Sequence, residues 1–406
     1  MNQNLQSLLK KEEQRQKEFI NLIASENYPS DDVTRYSGNI LANKYAEGYP
    51  GRRYYPGLEI IDEIENICQK ESLKTFGLDS KEWHSNVQPY SGGVANAEIY
   101  LALLKFGDKI LGMNLAHGGH LSHGHKANIS SRAYKAIAYG LNSKTNLIDY
   151  DEIERLAISE KPKLIIAGAS AYPREISFER FGKIARKVKS YLLADISHIA
   201  GLIVGGEHSS PFPYADIVMT TTHKTLRGPR SAVIFCRKEL ASKIDKAVFP
   251  GFQGGPHEHT IFAKAIAFQE AQTPQFKEYQ KQVVKNAKIL AEELKNKGFN
   301  LVTGGTDNHL MLIDLKNKNI DGAEAQNILE KANILANRNT VPGDENAFKP
   351  TGIRIGTPAM TTIGFKEKEF KKSANFINEL ITKKIAPEKI REQVLEMLKI
   401  KTSNKF

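Results

Sequence analysis

At 406 residues the chain has room for one large domain plus a smaller one, with a sizeable buried core. A composition of 40% hydrophobic and 25% charged residues excludes collagen-like, disordered and disulfide-scaffold classes, and two cysteines, Cys68 and Cys236, cannot build a disulfide framework. Nearly half of the net charge of +11 lies in residues 366–406, where eleven Lys/Arg face six Asp/Glu at helical spacing; this is a solvated helix face, and with no recognition motif beside it no nucleic-acid partner is expected.

Residues 1–19 are polar and charged, without the apolar stretch of a secretory signal, and residues 5–20 read as a charged helix. The Tyr- and Gly-rich stretch 43–57 has neither helical nor strand periodicity and is expected to be a long functional loop. From about Ser91 to Cys236, short apolar runs at 109–112, 164–167, 191–194, 217–219 and 232–236 alternate with helical segments. Such alternation predicts an α/β fold with a mostly parallel sheet and helices on its faces. Residues 260–297 read as long helical structure interrupted at Pro274. A strand at 310–315, a helix at 322–332, a short strand at 353–354 and two C-terminal helices make a smaller α+β domain. The expected division is 1–55 (N-terminal arm and inter-subunit loop), 56–272 (large domain) and 273–406 (small domain). No apolar run approaches the ~18 residues of a membrane span, so a cytoplasmic protein without a membrane partner is expected.

The sharpest chemical signal is Thr220-Thr221-Thr222-His223-Lys224-Thr225-Leu226-Arg227-Gly228-Pro229-Arg230, directly after a strand. A lysine at a strand end among hydroxyls and glycines suits a carbonyl-binding amine, which burial and nearby cations such as Arg227 and Arg230 help to deprotonate. Asp195 ends another strand 29 residues upstream. A Schiff-base lysine and a carboxylate that keeps a ring nitrogen protonated are what pyridoxal phosphate chemistry requires, and strand ends of one parallel sheet share a ligand-binding edge. Ser91-Gly92-Gly93 opens a helix whose free N–H groups can receive a phosphate. The cluster His117-Gly118-Gly119-His120-Leu121-Ser122-His123-Gly124-His125 invites a metal, but no thiolate pair, HExxH or acidic neighbour accompanies it; a histidine stacked on an aromatic cofactor fits better, and no metal is expected. His257-Glu258-His259 reads as a helix start.

These motifs together resemble the serine hydroxymethyltransferase family of fold type I pyridoxal-phosphate enzymes. The matching stretches, in family order, are LIASENY (22–28), NKYAEGYPGRRYY (43–55), NVQPYSGG (86–93), GMNLAHGGHLSHG (112–124), TTTHKTLRGPR (220–230), FPGFQGGP (249–256), GGTDNHL (304–310) and GIRIGTPA (352–359). The resemblance implies a large domain built on a seven-stranded, mostly parallel sheet.

It implies Lys224 as the Schiff-base lysine, with His223 beside it in the catalytic set, Asp195 as partner of the pyridinium nitrogen, and His120 as the stacked imidazole. Ser91, Gly92 and Gly93 fall at the phosphate, and Ser170 and His198 near the phenolic oxygen and substrate. Arg354 with Ser25 matches the grip on the substrate carboxylate. Glu47 matches the acid/base glutamate and Tyr54 and Tyr55 the active-site tyrosines. Tyr45, Glu47 and Tyr55, with Gly254 and Gly255, match groups that reach the neighbouring subunit's site, which implies a homodimer. Leu115, Gly119, Leu121 and Asn339 match folate-contacting positions.

The implied reaction converts L-serine and tetrahydrofolate to glycine and 5,10-methylenetetrahydrofolate by way of a serine aldimine and a quinonoid. Gly93 departs from the family's common serine, and Pro56 from a frequent glycine. Two competing readings are a folate-independent aldolase, against which Leu115, Leu121 and Asn339 argue, and a non-catalytic RNA-binding protein.

Overall fold

The alternating apolar runs become a seven-stranded sheet in the structure, a computed structural model that describes residues 3–344 and 349–402. The end of the basic C-terminal stretch, residues 403–406, lies outside the described residues. In chain order the strands are β1 (Trp83–Asn86), β2 (Lys109–Met113), β3 (Lys135–Tyr139), β4 (Leu164–Gly168), β5 (Tyr191–Asp195), β6 (Ile217–Thr221) and β7 (Ala232–Arg237). Their order across the sheet is β1-β7-β6-β5-β4-β2-β3. The β2, β3, β4, β5 and β6 pairings are parallel, and β7 alone opposes its two neighbours. Central strands β4 and β6 are buried at every position, as a sheet covered on both faces requires, and for that reason they read as continuous apolar runs.

All five runs singled out from sequence are strands, but β1 and β3 are additions. Both lie at sheet edges. Trp-His-Ser-Asn carries no apolar alternation, and Lys135 at the start of β3 is exposed, so neither strand had the pattern that burial imposes on the others.

Two compact units make up the chain: residues 28–170 with 175–281, and residues 1–27 with 171–174 and 282–406. The first holds the large sheet. Its core gathers Ile99, Tyr100, Leu164, Ile166, Leu193, Ile217 and Ile234. The segment 43–57, expected as irregular loop, contains a small hairpin pairing Gly48–Tyr49 with Arg52–Arg53. Gly48 sits at φ +100°, and a Cβ there would lie 2.3 Å from the Arg52 carbonyl oxygen, so this tight turn accepts only glycine.

The second unit holds an antiparallel sheet of Asn300–Leu301, Leu310–Asp314, Gly352–Gly356 and Asn337–Asn339, in that order. Helices Gly322–Lys331, Glu367–Ile381 and Pro387–Thr402 belong to it. Ile20–Asn21 pairs in parallel with Ile334–Leu335, so the first 27 residues of the expected 1–55 arm belong with the C-terminal unit, and the rest with the large sheet. The helical stretch expected from 260 is divided into Glu258–Ala271 and Pro274–Asn296, because Pro274 is tolerated in a first turn, where its missing N–H leaves no bond unmade. Among the described residues no helix is long and apolar enough to cross a membrane.

Leu193, fully buried at the centre of β5, anchors this core. Leu193→Ala is expected to cost about 2–5 kcal/mol, read as a lowered denaturant midpoint with an unchanged slope.

Candidate active site

The strand ends bring their polar residues to one edge. Asp195, the last residue of β5, pairs with Gly168 of β4 on one side and Met219 of β6 on the other. A Cβ at Gly168 would lie 2.4 Å from the Asp195 carbonyl oxygen, so only glycine admits this approach. The Asp195 carboxylate is 8% exposed. Its Oδ2 accepts hydrogen bonds from His123 Nε2 at 2.9 Å and Asn96 Nδ2 at 3.1 Å, and its Oδ1 accepts from the Ser197 N–H at 3.1 Å. Burial alone would raise this carboxyl group. The hydrogen bond and charge of His123, the charge of His120 and the Ser197 N–H outweigh it and hold Asp195 well below the ordinary carboxylate range.

His120 belongs to the same network. Its Nδ1 accepts from the Ser122 N–H at 3.2 Å and lies 2.7 Å from Ser122 Oγ, which in turn accepts from Asn96 Nδ2 at 2.8 Å. His123 Nδ1 accepts from the His120 N–H at 3.4 Å, so Nε2 is the nitrogen that donates to Asp195. One asparagine thus ties the carboxylate to the histidine turn. Sequence reasoning named His123 and Ser122 only as members of the histidine cluster and gave neither them nor Asn96 a role of its own.

The helix Gly92–Leu103 starts beside β6. Ser91 caps it, and the Ala95 N–H donates to the Ser91 carbonyl at 2.9 Å. A Cβ on Gly92 would meet Thr221 Cγ2 at 2.6 Å, whereas nothing lies within 4 Å of one on Gly93. Ser91 and Gly93 are exposed, so the N–H groups of this helix start are open to an anion.

Lys224 stands in a closed turn after β6. The Gly228 N–H donates to the Thr222 carbonyl at 2.6 Å, Thr222 Oγ1 to the Pro229 carbonyl at 2.6 Å, and the Arg227 N–H to the Lys224 carbonyl at 3.1 Å. Thr225 Oγ1 donates to the His198 carbonyl at 2.9 Å, joining this turn to the one after β5. Burial, with the Lys224 and Arg230 cations nearby, pushes the His223 imidazole down to about 3, so it is neutral at physiological pH. Ser170, half-buried after β4, donates its N–H to the Gly118 carbonyl at 2.7 Å. Leu115 and Leu121 stand in one-turn helices, with Gly119 buried between them.

A second cluster forms at the hairpin. A Cβ on Gly254 would lie 3.3 Å from Glu47 Oε1, and one on Gly255 3.3 Å from the Tyr45 ring. The Tyr45 and Tyr55 rings are 5.1 Å apart, and Tyr54 packs edge-on to Phe249 at 5.6 Å. Tyr45, Tyr54 and Tyr55 are 60%, 74% and 44% exposed, so the protomer presents this aromatic cluster outward. Tyr90, unremarked in the sequence, donates its hydroxyl to the Gly255 carbonyl at 2.6 Å and stacks on His257 at 4.2 Å.

Arg354, Ser25 and Asn339 lie in the other unit. Arg354 is 9% exposed; its Nε donates to Asn337 Oδ1 at 3.0 Å and its Nη2 to Ser25 Oγ at 3.4 Å. Burial lowers its guanidinium to about 10, which leaves it charged at neutral pH. Asn339 Nδ2 donates to the Thr340 carbonyl at 2.8 Å. Among the described residues no group of three or more His, Cys, Asp or Glu side chains could hold a metal ion. The donor set fits pyridoxal phosphate: an ionised strand-end carboxylate, a helix start narrowed to glycine at Thr221, and a lysine in a fixed turn.

A family model described as serine hydroxymethyltransferase matches residues 1–377, and the chain belongs to that family. Its fold is therefore fold type I, and it is a pyridoxal-phosphate enzyme interconverting L-serine and glycine with tetrahydrofolate as co-substrate, in a family that works as a dimer.

Two measurements probe this geometry. Gly92→Ala should weaken cofactor binding and cost about 1–3 kcal/mol through the Thr221 clash, whereas Gly93→Ser should leave stability unchanged and bind cofactor at least as tightly; titration of the apoprotein by absorbance separates them. For His223, whose folded pKa lies below its unfolded one, stability is lost as pH falls below about 6.5, because the unfolded chain takes up the proton first. His223→Asn should flatten apoprotein stability between about pH 6.5 and 5 by up to about 1.4 kcal/mol per unit, above the range in which the unfolded-state protonation of Asp195 begins to count.

Proposed function

We propose that Lys224, Asp195, His120, Ser91, Gly92, Gly93, Ser170 and His198 hold the pyridoxal phosphate, and that the substrates are handled by the remaining groups. Lys224 would hold the cofactor's aldehyde carbon, and Asp195 its ring nitrogen as a charge partner. His120 would stack on the ring, with the N–H groups after Ser91 on the phosphate and Ser170 and His198 toward the phenolic oxygen. When bound, the cofactor supplies an electron sink for the bond broken at the substrate Cα. Neutral His223 would keep the environment of Lys224 free of a further positive charge. The ionised Asp195 carries this reading: a buried carboxylate held charged by three donors is the group that a protonated pyridine nitrogen requires.

Arg354, steadied by Asn337 and Ser25, would take the α-carboxylate of serine, a role suited to a planar, permanently charged donor. Glu47 would accept or deliver the proton on the departing hydroxyl or on the folate, with Tyr55 and Tyr54 beside it. Leu115, Gly119, Leu121 and Asn339 would contact the folate. Tyr45, Glu47, Tyr55, Gly254 and Gly255 would complete the neighbouring subunit's site in a homodimer with shared sites; their grouping into one outward cluster supports this. The division at 1–55, 56–272 and 273–406 is offered as one by motif and role, distinct from the compact units at 28–170 with 175–281 and at 1–27 with 171–174 and 282–406. Buried free thiols at Cys68 and Cys236 support a cytoplasmic location.

The test is turnover of serine with and without tetrahydrofolate, alongside absorbance of the protein loaded with pyridoxal phosphate. Lys224→Ala should abolish turnover and alter the visible band. Glu47→Gln should lower kcat by about 10²–10⁴-fold with the band intact, and Arg354→Lys should raise KM for serine by roughly tenfold or more. Cleavage indifferent to folate would overturn the folate assignment in favour of an aldolase, and a colourless protein would overturn the cofactor site.

A further inference from the structure

Between β1 and the helix start at Ser91, the segment Val87-Gln88-Pro89-Tyr90 is pinned at each residue. Lys264 Nζ donates to the Val87 carbonyl. Gln253 Nε2 donates to the Gln88 carbonyl at 3.0 Å, while its Oε1 accepts from the Tyr90 N–H at 2.9 Å. Ser231 Oγ donates to the Pro89 carbonyl at 2.9 Å.

The Gln88 side chain reaches the other way. It is 2% exposed, and its Nε2 donates to the Gly48 carbonyl at 2.9 Å and to Glu65 Oε1 at 2.9 Å. Gly48 follows Glu47 directly. Arg53 closes the hairpin from within: Nη1 donates to the Ala46 carbonyl at 2.8 Å and the Gly48 carbonyl at 3.0 Å, Nη2 to Glu65 Oε2 at 2.7 Å, and Nε to Asp62 Oδ1 at 2.8 Å. On its far side the hairpin is moored by Tyr49, whose hydroxyl donates to the Asp245 carbonyl at 2.6 Å and accepts from Asn86 Nδ2 at 3.0 Å.

We infer that Gln88 is a positioning residue for the reaction: it ties the hairpin bearing Glu47 to the segment that leads into the phosphate-binding turn. The residue type fits the task. A primary amide carries two N–H donors, enough for one carbonyl and one carboxylate at once, and adds no charge to a buried site that already holds Arg53, Glu65 and Lys264. Because Arg53 and Tyr49 hold the hairpin together without it, removing the Gln88 amide leaves the hairpin formed but loosens its seat on its own subunit, and with it the place of Glu47 in the neighbouring subunit's site that the hairpin is proposed to complete. A displacement of order 1 Å in an acid/base group costs about 10²-fold in rate, which sets the scale of the effect.

The inference rests on Glu47 as the acid/base group, and a double-mutant cycle separates the two claims. Gln88→Met keeps the volume and removes both donors; Gln88→Asn, too short to reach Gly48, replaces it should the methionine variant not fold. In the holoenzyme, folate-dependent kcat should fall about 10- to 100-fold, with KM for serine and the visible cofactor band unchanged. In the Glu47→Gln background the same substitution should change kcat by no more than about twofold, since both act through one group. Equal losses in the two backgrounds, or an undiminished kcat in the Gln88 variant, would overturn the positioning role. An undiminished kcat in Glu47→Gln alone would instead remove the role of Glu47.

Discussion

A carboxylate kept ionised where burial would neutralise it is the constraint around which the large unit is arranged. Charge in a low-dielectric interior is costly unless donors surround it. Asp195 therefore draws in His123 from the turn after β2, Asn96 from the helix after Ser91 and the Ser197 N–H from its own turn. Each of those residues is itself fixed. His123 is oriented by the His120 N–H, and Asn96 also grips Ser122. The strand register that aligns Asp195 with Gly168 and Met219 gives the network its floor. A buried charge held by three donors suits a cationic partner, which is the complementarity the proposed cofactor site rests on.

The hairpin presents the opposite solution to burying charge. Glu65 is fully buried yet paired with Arg53, while burial pushes Glu98 and Glu258 up to about 8 and Lys264 down to about 8. Held towards the neutral form by burial, Glu98 and Glu258 add little negative charge beside Lys264 at neutral pH. Rigidity here comes from uncharged amides: Gln88 and Gln253 do the joining, and the Arg53–Glu65 pair, whose carboxyl burial also pushes up, is confined to the hairpin's base.

How much of this was legible in sequence follows from what leaves a pattern. β4 and β6 are covered on both faces, and they announce themselves as apolar runs; β1 and β3 sit at edges and do not. Lys224, Asp195 and the Ser91 turn were readable because strand-end chemistry has a local signature. His123, Asn96 and Gln88 were not, because their meaning lies in partners 72, 99 and 40 residues away. No periodicity encodes such a bond. The family resemblance carries long-range information as motif order, and on it alone rest the roles proposed for Glu47 and Arg354, whose surroundings would read as a loop acid and a strand arginine.

The long reach of the Asp195 network carries a consequence for how the chain comes to be folded. Because two of the carboxylate's three donors are separated from it by 72 and 99 residues, this strand-end edge cannot form locally and is complete only when the non-local strand pairings are made. An unfolded or half-built chain thus offers the cofactor nothing to recognise, and all of the binding free energy accrues to the finished unit. At a free concentration one hundred times its dissociation constant, a ligand of this kind adds about 2.7 kcal/mol to the folded state. The amount of such a ligand then bears on how much of the chain stays folded, as well as on how fast the folded molecules turn over.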